Sequence, residues 1–241
     1  MAKLFRSYWK KAGFCSKKNI LVIKEFVNNF LEPLSPLLPL VLLLVQFNKV
    51  SAMKELRLLL FIYALLFLLN VSAALLAYLD KTNIWIYDLS GITTFLSISF
   101  YLALLLKTDR FQKIIYFFIP VFTTFYLGYT YMLNDSSIFN SLGYAVLAVL
   151  ISIYCVFYFL ECIKFEMRKL TDLYSFWVVT SFFIYFMGSF FIFITYKTMT
   201  SHGIQTGMLW GLHNIVYFVS CCIAAFGIWK LFQKKYTISE A

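Results

Sequence analysis

Acidic residues and histidine are what this chain has least of. Its 241 residues include 11 Asp and Glu and 2 His against 21 Lys and Arg, and charged residues of either sign make up 13%. Only His213 falls in a predicted span, so a bis-histidine haem in the bilayer has no second ligand, and His202, in a predicted outer loop, has no partner at a familiar metal-ligand spacing. A retinal protein needs a lysine inside its last helix, and none lies between Thr206 and Trp229. The HxxxH pattern of ceramidase-like and progestin-receptor-like membrane hydrolases is missing too, because "LWGLHNIVYF" places Tyr217 where the second histidine would stand. We find no internal repeat of about 20 to 50 residues and no low-complexity tract. An Ala-x-Ala-type site after the first apolar run is absent, so no cleavable signal peptide is expected. Connecting segments are short, roughly 4 to 12 residues, which leaves no room for a folded domain outside a bilayer.

Apolar residues are abundant: they make up 62%, with 28 Phe and 17 Tyr. A helix needs about 20 mostly apolar residues to cross a hydrocarbon core, since lipid offers no partner for an unpaired backbone group. Windows of that length predict six clear spans at Leu56–Leu79, Ile84–Leu106, Ile114–Met132, Phe139–Cys162, Leu173–Tyr196 and Thr206–Lys230. Of the five cysteines, Cys155, Cys162, Cys221 and Cys222 fall in or at the end of spans and Cys15 precedes them, so a disulfide framework is not expected.

Before these spans lies "LEPLSPLLPLVLLLVQF", Leu31 to Phe47, with three of the four prolines. Pro36 and Pro39 suit the first turn of a helix, where backbone N–H groups lack internal partners, and Ser35 is a plausible cap. Upstream, Ile20, Ile23, Val27, Phe30 and Leu31 recur at helical spacing beside Lys24, Glu25, Asn28 and Asn29, the pattern of an amphipathic helix. The reading favoured is a kinked first span; a re-entrant or in-plane segment is the alternative.

Lys and Arg near span ends are retained on the cytoplasmic side. Lys49, Lys54 and Arg57, then Lys107, Arg110 and Lys113, then Lys164, Arg168 and Lys169, then Lys230, Lys234 and Lys235 occupy one side, while the alternate turns carry only Lys81 and Lys197. The expected architecture is therefore an all-α, polytopic transmembrane bundle of seven spans, N-terminus outside and C-terminus cytoplasmic. Its parts are a basic amphipathic segment (1–30), the seven-helix domain (31–235) and a tail (236–241). Six spans with both ends cytoplasmic is the alternative. The arm "MAKLFRSYWKKAGFCSKK" interleaves aromatics with cations, which suits membrane lipids rather than nucleic acid despite the net charge of +10.

Intramembrane polar residues call for a reason. In the last span Thr206, Trp210, His213, Tyr217, Ser220, Ala224 and Gly227 form one helical face. Small residues at helical spacing, as at Ser141, Ala145, Ala148, Ser152 and Cys155, mark packing seams. With the orientation above, Asp88, His213 and Asn70 fall in the outer half, with Asn214, Tyr185 and Asn140 at compatible depth. Asp88, His213, Asn214, Asn70, Tyr185 and Trp210 are the candidate ligand-binding residues. Asp88 and His213 are expected to face each other, as a structural pair or at the base of an outward cavity. No catalytic set, metal site or cofactor is expected; a triad of Ser90, His213 and Asp88 lacks a nucleophile elbow.

The order of features resembles a group of small seven-helix inner-membrane proteins of Gram-negative bacteria, receptor-like or accessory subunits with no established activity. The resemblance rests on "PLLPLVLLLVQFNKVSAMKELRLLL", "LYSFWVVTSFFIYFMGSFFIF" and "LWGLHNIVYFVSCCIAAFGIWK". In the third span the group has an acidic residue before a phenylalanine, whereas "YDLSGITTF" offers Asp88 earlier. The likeness implies seven spans with the N-terminus outside. The functional expectation is a non-enzymatic receptor-like or accessory subunit whose outward half-cavity takes a small or lipidic ligand and whose basic cytoplasmic turns meet a protein partner. The alternatives are an intramembrane lipid-modifying enzyme and a small-molecule transporter.

Overall fold

The computed structural model describes residues 30–133, 139–165, 170–202 and 207–233. The basic segment before Phe30 with Cys15, the tail 236–241, Thr206 and the boundary charges Arg168, Lys169, Lys234 and Lys235 lie outside the described residues.

All regular structure among the described residues is helical. Three short helices come first, α1 (Leu31–Leu34), α2 (Leu37–Val45) and α3 (Phe47–Ala52). Six long ones follow: α4 (Lys54–Tyr78), α5 (Ile84–Leu105), α6 (Asp109–Gly128), α7 (Ser141–Lys164), α8 (Tyr174–Ser201) and α9 (Gly207–Gln233). These six are long and apolar enough to cross a membrane, and their bounds fall within a few residues of the expected spans. The largest offsets, five residues, are at the start of α6, which begins at Asp109 and leads into a π-helical turn, Tyr129–Leu133, and at the end of α8, which runs on to Ser201.

The proline-rich run is a shorter apolar element, Leu31–Val45, interrupted at Ser35–Pro36. Pro33 and Pro39 each occupy the third position of their helix, where the missing N–H would have no intrahelical partner. Ser35 does not cap α2 as the spacing suggests. Pro36 is the N-cap residue, without a side-chain bond, and the Ser35 hydroxyl donates backward to the Leu31 carbonyl. A second break at Gln46 tilts the chain into α3, and Lys49 comes to rest 5.6 Å from the Phe232 ring centroid near the end of α9.

The helices make a closed ring. Around it run α4, α5, α7, α8 and α9 in contact, each with the next, and α1 and α2 pack against both α9 and α4 to close the circle. Outside the ring, α6 leans on α5 and α7. The expected seam on α7 is buried throughout, from Ser141 to Cys155. On α9, His213, Tyr217, Ser220, Ala224 and Gly227 face inward while Ile215 and Val219 are exposed. Gly227 allows α8 and α9 to close up: a Cβ there would stand 2.5 Å from Trp177 Cβ and 3.0 Å from the Tyr174 carbonyl oxygen.

At the end bearing the basic turns, Glu161 of α7 is buried and ties the α5–α6 turn. Its carboxylate accepts from the Lys107 N–H at 2.8 Å and the Thr108 N–H at 2.7 Å, and Gln112 Nε2 donates to the Leu106 carbonyl at 2.6 Å. Removing this carboxylate leaves two backbone donors without their acceptor. Glu161→Ala is expected to cost roughly 2–3 kcal/mol, as for buried bonds to charged groups, and Glu161→Gln less, read as a lowered unfolding midpoint in an SDS titration; equal stability of all three proteins would refute this role.

Candidate functional site

A cavity lies inside the ring, reaching from the end away from the basic turns to beyond mid-bundle. All the ring helices supply it: Glu32 from α1, Asn70 from α4, Tyr87 and Ser90 from α5, Tyr144 from α7, Tyr185 and Phe193 from α8, and Trp210, His213 and Tyr217 from α9. Its lining extends inward to Tyr63, Ile98, Phe182 and Cys221. Room for the centres of water-sized molecules amounts to about 50 Å³, enough for a short water chain or one compact group.

Four of the six residues singled out from sequence, Asn70, Tyr185, Trp210 and His213, line this one space. Asn214 is fully buried next to His213 but does not line it. Asp88 does not line it either. One residue further along α5 than the inward-facing Tyr87, it turns toward α6 and α7, near enough to Tyr126 and Tyr144 to interact electrostatically, and its Oδ1 accepts no hydrogen bond. The expected pairing of Asp88 with His213 is not formed. His213 Nδ1 instead lies 3.1 Å from the buried Ser189 hydroxyl of α8. The sum of these placements also dismantles a Ser90–His213–Asp88 triad.

Aromatic rings build most of the wall. His213 sits among Tyr185, Phe193 and Trp210 at centroid distances of 5.5, 5.2 and 5.3 Å. Tyr87, Phe139 and Trp210 are mutually perpendicular, with interplanar angles of 88–89° and centroids 5.6–6.1 Å apart. Edge-to-face contacts of this kind each favour the assembly by about 0.5–1.5 kcal/mol beyond burial alone. Tyr144 fixes the corner by donating to the Tyr87 carbonyl at 2.6 Å.

Glu32 is the residue the sequence reading passed over. Its carboxyl bonds the Trp210 indole and lies close enough to Tyr87, Tyr144, Tyr185 and Tyr217 to interact electrostatically with each. Asn70 Nδ2 is 3.4 Å from both the Glu32 carbonyl oxygen and the Tyr217 hydroxyl, joining α1, α4 and α9. The signal was present: Glu32 is the one ionisable residue of the proline-rich run, and such residues inside an apolar segment carry a default suspicion of function.

Chemically the site offers one carboxylate, one imidazole held by a serine, hydroxyls and ring faces. Among the described residues no group of three or more His, Cys, Asp or Glu could hold a metal ion. Compared with known proteins, the chain matches no family model, no curated protein and no solved structure. A mutational consequence follows from the separation of Asp88 from the cavity. Asp88→Asn should leave binding of any cavity ligand within about twofold, whereas Asn70→Leu, which cuts the α1–α4–α9 link, should weaken it by roughly tenfold, the effect of losing one or two buried hydrogen bonds; the reverse ranking in a binding titration would overturn this placement.

Proposed function

We propose that this chain is a receptor-like or accessory membrane subunit that recognises a small or lipidic molecule in an outward half-cavity without converting it. The single observation that carries the reading is that the cavity's described lining ends at Tyr63, Ile98, Ser181 and Cys221, short of the end that bears the basic turns. Beyond it the bundle is packed with Leu43, Leu56, Leu59, Tyr101, Ile151, Val178, Ala224 and Ile228, all essentially buried. Mid-bundle serines do not extend a polar path: Ser97, Ser152 and Ser220 donate to carbonyls of their own helices at 2.7–2.8 Å. A transport route asks for polar groups through the whole thickness, and an enzyme for acid, base or nucleophile set against one another.

The same reading gives the protein seven crossings in an inner membrane of the bacterial type, N-terminus outside and C-terminus cytoplasmic. Supporting it, the proline-rich segment runs alongside α9 and in the same direction. Glu32 is level with Trp210 near one end of α9, and Lys49 with Phe232 near the other. The Lys and Arg asymmetry supports the sidedness, and the resemblance to small seven-helix inner-membrane proteins agrees with both. At the cytoplasmic boundary Lys230 lies 5.6 Å from the Trp177 ring centroid and donates to the Thr171 carbonyl at 3.0 Å, so the last helix is tied to the turn before α8. Occupation of the cavity would shift the α8–α9 contact and be read by a partner at these basic turns, provided the ligand favours one packing over the other.

Two experiments test this. A protease-accessible tag at the N-terminus should be cleaved from outside in intact cells; protection there, with cleavage only after lysis, would refute the crossing. Thermal unfolding of the purified protein against a metabolite and lipid panel should reveal at least one stabilising compound whose effect falls in His213→Ala and which mass spectrometry recovers unchanged. No stabilising compound, or an equal response of the variant, removes the recognition role, and recovery of a converted product replaces it with catalysis.

A further inference from the structure

A carboxylate inside an apolar ring needs compensation, because an uncompensated charge there is expensive. Among the described residues Glu32 shares the cavity with the neutral Trp210 indole, which bonds its carboxyl. No lysine or arginine is among the cavity's described lining residues. The same cavity is walled by the mutually perpendicular rings of Tyr87, Phe139 and Trp210, with Tyr185 beside His213. Ring faces attract cations that shed water easily, and the attraction grows when the site is desolvated.

We propose that the cavity takes a small organic ammonium group, with Glu32 as its counter-ion and the Tyr87–Phe139–Trp210 corner as its aromatic wall. The inference rests on the recognition role proposed above and specifies its ligand class. An anion would meet Glu32 with no described cation to offset it. A bare metal cation asks for several oxygen ligands around it, whereas the lining supplies one carboxylate amid rings. Because the free space suits one compact group, the ammonium would enter as a single methylated or primary amine head, carried by a free amine or by a lipid.

The test is equilibrium binding of radiolabelled choline and tetramethylammonium to the full-length protein, reconstituted in nanodiscs of phosphatidylglycerol or of phosphatidylcholine at matched ionic strength. Saturable binding in phosphatidylglycerol is expected, with sodium and the neutral carbon isostere dimethylbutanol failing to compete. Glu32→Gln, which keeps the shape and a hydrogen-bonding oxygen for Trp210, should weaken it by roughly tenfold or more, and Phe139→Leu by severalfold. Thermal unfolding without ligand checks that both variants fold. If phosphatidylcholine nanodiscs block choline, the lipid headgroup is the source; if they do not, the source is a soluble amine, and either result supports the proposal. Choline binding that dimethylbutanol displaces equally well, binding unchanged in both variants, or no binding of either cation in phosphatidylglycerol overturns it. The metabolite screen distinguishes the two claims: a stabilising compound that is not an ammonium keeps recognition and discards this ligand class.

Discussion

Hydrocarbon supplies no hydrogen bonds, and this constraint decides where the chain is allowed to stop being a helix. Several interruptions among the described residues are covered by a side chain or placed where no bond is owed. The Ser35 hydroxyl covers the Leu31 carbonyl at the first kink. Asn140 accepts from the Gly143 N–H at 2.8 Å and donates to Thr130 at 2.6 Å where α7 begins. Glu161 reaches across from α7 to hold the two N–H groups of the α5–α6 turn. The prolines obey the same rule in α1 and α2, lying where no donor is missed. Pro120 is the exception, inside α6, and α6 is the helix that stands outside the ring.

Much of the fold was legible because it depends on one-dimensional quantities. Length and apolarity located six helices, and the period of the α9 stripe identified its inward face before any packing was known. The site was only partly legible. Depth could be read from residue number, and Asn70, Tyr185, Trp210 and His213 do share one space. Azimuth could not be read the same way. Asp88 and Tyr87 are at nearly the same depth, but the helix turns about 100° per residue, so one of them faces the ring's interior and the other faces α6 and α7. Glu32 was hidden for a different reason: its relevance depends on the broken segment lying against α4 and α9, which no local pattern encodes.

The cavity keeps its charge and its oily surroundings in balance through arrangement rather than bulk water. Polar atoms are spent on position: Asn70 on the α1–α9 junction, Tyr144 on the Tyr87 carbonyl, Ser189 on His213. That leaves Glu32 as the one acidic side chain among the described lining residues, facing rings whose orientations are fixed by mutual perpendicular packing. A site built from such rings has little rotamer freedom to lose when it is occupied.

The ring is closed by the first elements of the chain lying between α4 and the last helix. During synthesis α1 and α2 emerge long before α9, so their final neighbour does not yet exist while the other staves enter the bilayer. The chamber therefore takes shape only once α9 has come to lie beside the opening segment, because Glu32 and Trp210 line it from opposite ends of the described chain.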